Sequence, residues 1–168
     1  HWTEGRNLLQ QLMINMAERE AAFEPVITRR ELEPALLAEI DRLPSTCPVR
    51  MTSRGRLEFR HDLAADWARY QRLQEIGDTP SQWGALAANP LWHSAIRMLG
   101  QQLLRQPTEQ GTAWDQAYRQ LETSEGTLRS GADLLLDALC LDPHADKWLD
   151  ERTELLFDEN GKRLDRML

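Results

Sequence analysis

Between Arg60 and Leu63 the hydrophobic period of the chain changes from two to about 3.6. Before the switch, Leu57 and Phe59 alternate with charged neighbours in Arg56-Leu57-Glu58-Phe59-Arg60, the pattern of a half-buried strand. A second extended run, Val49-Arg50-Met51-Thr52, lies on the other side of Ser53-Arg54-Gly55. Gly55 supplies the positive φ that a tight hairpin needs. After the switch, Leu63, Trp67, Tyr70 and Leu73 recur at helical spacing, and Asp62 suits the N-cap. The sequence therefore predicts a β-hairpin that runs straight into a long amphipathic helix, with His61-Asp62 at the joint.

The residues before this unit read as helices. Leu8, Leu9, Leu12, Met13 and Met16 form the stripe of a helix over Gly5 to Ala21, which Phe23-Glu24-Pro25 breaks. Val26-Ile27 predicts a very short strand. Thr28-Arg29-Arg30-Glu31 fits a capping box, with Thr28 as N-cap and Glu31 at the third helical position. Pro34 suits the first turn of a helix reaching Leu43, with Leu36, Leu37 and Ile40 as its apolar face. Pro44 and Pro48 bracket a loop. Helix, short helix, helix and hairpin is the winged-helix order, a helix-turn-helix variant with a β-wing.

Residues 78–89 read as a linker of loop or weak-helix character, with Trp83 and Leu86 as anchors. Beyond it the pattern is helical only. Asn89-Pro90 opens a helix with Leu91, Ala95, Leu99 and Leu103 as its stripe. Thr112 and Asp115 repeat the capping-box pattern ahead of Trp114, Ala117, Tyr118 and Leu121. Leu128, Ala132, Leu135, Leu136 and Leu139 mark a third helix. Asp142-Pro143 opens a fourth, through Trp148, Arg152 and Leu156, which Asn160-Gly161 ends. Leu164, Met167 and Leu168 suggest a further turn cut short. The expected fold is mainly α: a winged-helix domain over 1–77, the linker over 78–89, and an all-helical domain over 90–168. The last is a bundle or the start of an α-solenoid. The chain starts at His1 within a helical pattern, and is expected to be part of a longer polypeptide.

The composition narrows the function. With 168 residues, 41% hydrophobic and 28% charged, the chain has the mix of an ordinary soluble globular protein. No apolar run approaches the roughly 18 residues that cross a bilayer, and the polar first residues lead to the expectation of no signal peptide. Cys47 and Cys140 lack metal spacing and read as free thiols of the cytoplasm. The net charge of −7 is uneven: residues 1–77 carry net −1 and residues 78–168 net −6. Nucleic acid is therefore disfavoured as the main partner. No P-loop, dinucleotide fingerprint or nucleophile elbow is present, and none of the four histidines pairs with another at metal-ligand spacing. The chain is not expected to be an enzyme, and neither a metal site nor a cofactor of its own is expected.

Two features could carry recognition. The wing holds Arg50, Arg54 and Arg56, which could touch a nucleic-acid backbone or an acidic neighbouring domain. The predicted recognition helix carries Glu39 and Asp41 against Arg42 alone, a poor face for a major groove. The joint admits two readings. Either Asp62 caps the helix and His61 is simply exposed, or His61, beside Arg60, donates a ring N–H to a phosphate at the helix N-terminus.

The run Leu57-Glu58-Phe59-Arg60-His61-Asp62-Leu63-Ala64-Ala65-Asp66-Trp67 resembles the Met-His-Asp motif of the STAND NTPases, the group that includes NOD-like receptors. That motif closes the winged-helix domain behind the NTPase core. Arg60 stands here in place of Met. The resemblance implies that His61 contacts the β-phosphate of ADP held, with ATP and Mg as the alternative state, by an upstream NTPase domain. Asp62 then orients the joint. It further implies a closed state released by ATP, homo-oligomerisation on activation, and a helical sensor region. In a bacterial defence protein that region meets a foreign, for example viral, protein. The alternative is a winged-helix transcriptional regulator with a helical ligand-binding or dimerisation domain. A third reading is an interaction module in which His61 has no nucleotide role.

Overall fold

The alternation around Leu57 builds the first sheet. In the computed structural model, which describes residues 2–42, 44, 46–77, 79–124 and 126–167, β1 (Val49–Met51) pairs antiparallel with β2 (Leu57–Phe59). Val49 faces Phe59, Arg50 faces Glu58, and Met51 faces Leu57. Leu57 is 1% exposed, while Arg50 points to solvent, so one face of the hairpin is core and the other is wet. The turn closes through Gly55 N–H to Thr52 O (2.9 Å), with Gly55 at φ 69° in the left-handed region as its sequence position requires.

The free edge of β2 does not stay open. Leu57 N–H donates to Ile27 O (2.9 Å), Arg29 N–H donates to Gly55 O (2.8 Å), and Thr28 bridges to Arg56. The short strand predicted at Val26-Ile27 does not form; an isolated bridge at Thr28 and the hydrogen bond to Ile27 O stand in its place. Its arrival follows the end of α1 (Trp2–Ala21), where Phe23 takes φ 56° and Glu24 N–H returns to Arg19 O at 2.8 Å. The Thr28–Glu31 capping box forms: Glu31 accepts from the Thr28 N–H and hydroxyl, each at 2.9 Å. It caps a single 3₁₀ turn (Arg29–Glu31), because Pro34 starts α2 (Pro34–Asp41) separately after an extended Leu32. Leu43, the predicted end of α2, lies outside the described residues.

The chain divides into two compact units, residues 1–72 and 73–168, and the division falls within α3 (Asp62–Ile76). In the first unit, Leu12, Met16 and Ala17 of α1, Ile40 of α2, Val49, Leu57 and Ala68 share one core.

The second unit is organised on α7 (Thr127–Leu141). Besides the stripe of Ala132, Leu135, Leu136 and Leu139, the adjoining Leu134 and Ala138 are also buried, so its buried surface is wider than one stripe, as for a central helix. Around it pack α4 (Pro80–Gly84), a 3₁₀ turn (Ala85–Ala88), α5 (His93–Leu103), α6 (Ala113–Glu122) and α8 (Ala145–Asp150). One helix surrounded by others is a cluster rather than a ladder of stacked pairs. Within 78–89, read as a linker of loop or weak-helix character, residues 80–88 are helical and Trp83 is buried; Asp78 lies outside the described residues.

Three expectations for this unit are corrected. The pattern is not helical only: β3 (Pro107–Thr108) and β4 (Gly111–Thr112) form a small hairpin, too short to leave a periodic trace. The fourth predicted helix is two, α8 and α9 (Thr153–Asp165), because the turn at Glu151-Arg152 interrupts it. Asn160-Gly161 does not end α9, which continues through Gly161 (φ 77°) to Asp165. Of the terminal stripe, Leu168 lies outside the described residues.

Arginines fasten these helices. Arg152, 5% exposed, grips Asp115 with two hydrogen bonds (2.9 and 3.0 Å) and Thr112 Oγ1 with a third (3.0 Å). Its guanidinium lies over the rings of Trp114 and Trp148. Arg163 of α9 grips Glu122 of α6 (2.5 and 2.9 Å), which also accepts from Tyr118 Oη at 2.8 Å. Burial, then the Glu122 contact, pushes the Tyr118 hydroxyl above the usual phenol range. Asp142 accepts from the Trp148 indole (3.0 Å), the His144 N–H (2.9 Å) and Arg105 (2.6 Å).

Burial alone would raise the Asp142 and Glu122 carboxyls. The hydrogen bonds to each outweigh it and hold both below their ordinary values of 3.8 and 4.5. The unfolded chain therefore protonates first as pH falls. Their stabilisation is complete above about pH 5 and is lost as pH drops through the lowered native values. Thermal melts from pH 7 to 3 will show this acid loss. Asp142→Asn will melt lower at pH 7 by the equivalent of about 1–3 kcal/mol and will flatten the pH slope. Gly100 of α5 supplies a second test, since a Cβ there would stand 2.7 Å from the Ala138 Cβ of α7. Gly100→Ala will lower urea stability by about 1–3 kcal/mol, although helix propensity alone favours Ala by about 1 kcal/mol.

Candidate functional site

The hairpin hands over to α3 in two hydrogen bonds. Arg60 N–H donates to Pro48 O (2.8 Å), extending the strand pairing by one residue, and Ala64 N–H donates to His61 O (2.9 Å), starting the helix. Asp62 is the first residue of α3 rather than the residue before it. There its carboxylate favours the helix dipole by charge. Arg60, His61 and Asp62 are all exposed. Among the described residues, neither the Arg60 guanidinium nor the His61 imidazole has a side-chain partner. The sequence thus located the joint, and its three side chains are exposed there, with His61 on one groove and Asp62 on another.

The face of α3 is corrected. Of the predicted stripe, Leu73 is fully buried and Tyr70 half-buried, but Leu63 is 71% and Trp67 39% exposed. The buried side of the first turns is Ala65, Ala68 and Arg69. Arg69 donates to Asp66 (3.0 Å) and to Glu20 of α1 (2.5 Å). Ala68 shares the core with Leu12 and Met16 of α1, and the paired Arg69 tolerates burial, so the larger apolar residues are left outside. The spacing of Ala65 and Ala68 was the available signal for this face.

Leu63 and Trp67, with Leu9, Met13, Pro48 and His61, line an apolar groove of about 610 Å³. His61 therefore borders an apolar wall while remaining exposed to solvent. The wing arginines are split. Arg50 pairs across the strands with Glu58 (3.2 Å), while Arg54 and Arg56 have no side-chain partner among the described residues. Arg29, from the added edge, is tied to Asp41 of α2 (2.9 Å).

Chemically, the joint presents a permanent cation, a titratable ring and a helix N-terminus, a set suited to accepting an anion's oxygens. Among the described residues no cluster of three His, Cys, Asp or Glu side chains could hold a metal ion, and no helix is long and apolar enough to cross a membrane. No protein-family model, curated protein or solved structure matches the chain.

The two assignments of the α3 face differ measurably. Leu63→Ala will change unfolding free energy by less than about 0.5 kcal/mol, as for an exposed site. Leu73→Ala will cost about 2–5 kcal/mol. Equal losses at both positions, in denaturant titrations of each variant, would restore the stripe read from the sequence.

Proposed function

We propose that the chain is a non-catalytic regulatory segment of a STAND-type signalling or defence ATPase in the cytoplasm. In this reading residues 1–77 act as its winged helix and the helices after them begin its sensor region. The observation that carries the reading is the exposed, unpartnered pair Arg60-His61 at the start of a 15-residue helix, directly after the hairpin. The element order supports it, as does the edge at residues 27–29 laid beside β2, where a winged helix places the strand between its first two helices. His61 reads the β-phosphate of ADP bound by an upstream NTPase domain, Arg60 adds charge, and Asp62 holds the joint. Replacement by ATP frees the unit, and the protein then oligomerises.

A second reading, a DNA-binding regulator, is favoured only by the unpaired Arg54 and Arg56 at the hairpin tip. The α2 face counts against it, because Glu39 and Asp41 are exposed and Asp41 already engages Arg29.

The test uses the longer polypeptide, wild type and His61→Ala, denatured to release and quantify bound nucleotide. Stoichiometric ADP is expected in the wild type, with loss or replacement by ATP in the variant. Equal ADP in both removes the sensing role of His61. No nucleotide in either removes the ATPase reading and favours the DNA-binding one, which a salt-dependent DNA titration then measures.

A further inference from the structure

We infer that the apolar groove beside the joint is the docking site of an amphipathic helix from a partner protein, with acidic residues flanking the apolar stripe of that helix. The groove lies wholly within the first unit and holds about 610 Å³. Leu9 and Met13 of α1 form one wall, and Leu63, Ala64 and Trp67 of α3 form another.

Three observations carry the assignment. First, the exposed apolar side chains are joined. Leu63 is 71% and Trp67 39% exposed, one helical turn apart, and both line the same groove. Single apolar residues on a surface are ordinary, whereas a continuous patch around a concavity marks an interaction site. Second, both walls have helical spacing: Leu9 and Met13 recur after one turn of α1, as Leu63 and Trp67 do on α3. Ridges of that spacing accept the apolar stripe of a further helix, whose anchors recur every third or fourth residue. Third, among the described residues no carboxylate lines the groove, in a chain with 27 Asp and Glu against 20 Lys and Arg. The one ionisable group in its lining is the His61 imidazole, a base, while Asp62 lies on a different groove. An acidic residue on the incoming helix is complementary to that lining, and a basic one finds no counter-charge there.

The lining favours a helix over a small molecule. Its other polar side chain, Gln10, already donates to Gln71 Oε1 at 3.0 Å. A small ligand is oriented by several converging polar groups, and His61 alone does not supply them. A docked helix is held instead by a few large apolar anchors, the role that Leu63 and Trp67 are placed to fill. The inference does not require that His61 reads a phosphate, since these anchors belong to the apolar wall.

The experiment titrates the 168-residue chain, by ¹H–¹⁵N correlation spectra, with a synthetic peptide of about 16 residues, long enough to hold a helix. The peptide carries leucines at helical spacing and glutamates on its other face, and a comparison peptide has lysine in place of every glutamate. The expected result is saturable shifts at Leu63, Ala64 and the Trp67 indole with the acidic peptide, and weaker binding of the basic one. The net charge of −7 attracts the basic peptide to the chain as a whole, so the opposite preference identifies a local site. Leu63→Ala should weaken binding about tenfold or more, the scale of an interface anchor, with the melting temperature unchanged. His61→Ala should keep binding and narrow the preference for the acidic peptide. No saturable shift at the groove with millimolar peptide would overturn the proposal. So would binding that Leu63→Ala leaves unchanged, or a preference for the basic peptide. Sedimentation of the chain alone tests the competing occupant: a dimer that Leu63→Ala dissociates would assign the groove to a second copy instead.

Discussion

A guanidinium cannot be buried alone, and the placement of buried arginines decides how both units of this chain are tied. Eighteen of its twenty basic residues are arginine, only Lys147 and Lys162 being lysine. The planar, permanently charged fork of arginine suits two-point pairing with a carboxylate. Arg152 shows the consequence most fully. It reaches the Thr112–Asp115 capping box, lies over the flanking indole rings, and thereby joins α6 to the turn between α8 and α9. Arg163 adds α9 to α6 through Glu122, and Arg69 joins α3 to α1 through Glu20. Removing one partner of such a pair leaves a buried charge, which typically costs about 3–5 kcal/mol, more than the pair itself contributes over an apolar replacement. These contacts therefore specify which helices meet more than they raise total stability.

The joint at Arg60–Asp62 follows from the opposite circumstance. The hairpin buries one face, α3 buries its small face, and the residues at the change of period belong to neither core. Their side chains are left exposed and unpartnered, next to an apolar groove made of the leucine and tryptophan that α3 does not bury. An exposed surface arises there because two regular elements with different periods cannot both place the intervening residues inside.

Local signals read well where the chain's own backbone satisfied them. Both capping boxes formed, since each needs only residues three apart. The hairpin turn at Gly55 formed because a positive φ is a property of one residue. The apolar stripes of α6 and α7 were buried as spaced, with Trp114, Ala117, Tyr118 and Leu121 all inside. The stripe of α3 was not, because the sequence offered two apolar sides and only packing against α1 chose between them. The β3–β4 hairpin was missed because two-residue strands carry no period. The isolated bridge beside the first sheet left only two β-branched residues after a break as its trace.

The sequence by itself determined the helices and hairpin that lead up to α3, the two capping boxes, the point where strand gives way to helix, and the segregation of negative charge toward the second half. Those are set within a few residues by backbone geometry, side-chain branching and charge. The tertiary structure alone decided that Leu63 and Trp67 face solvent and that Arg152 and Thr112 meet across 40 residues. Each of these depends on which distant surfaces exclude water together, and no local pattern encodes that choice.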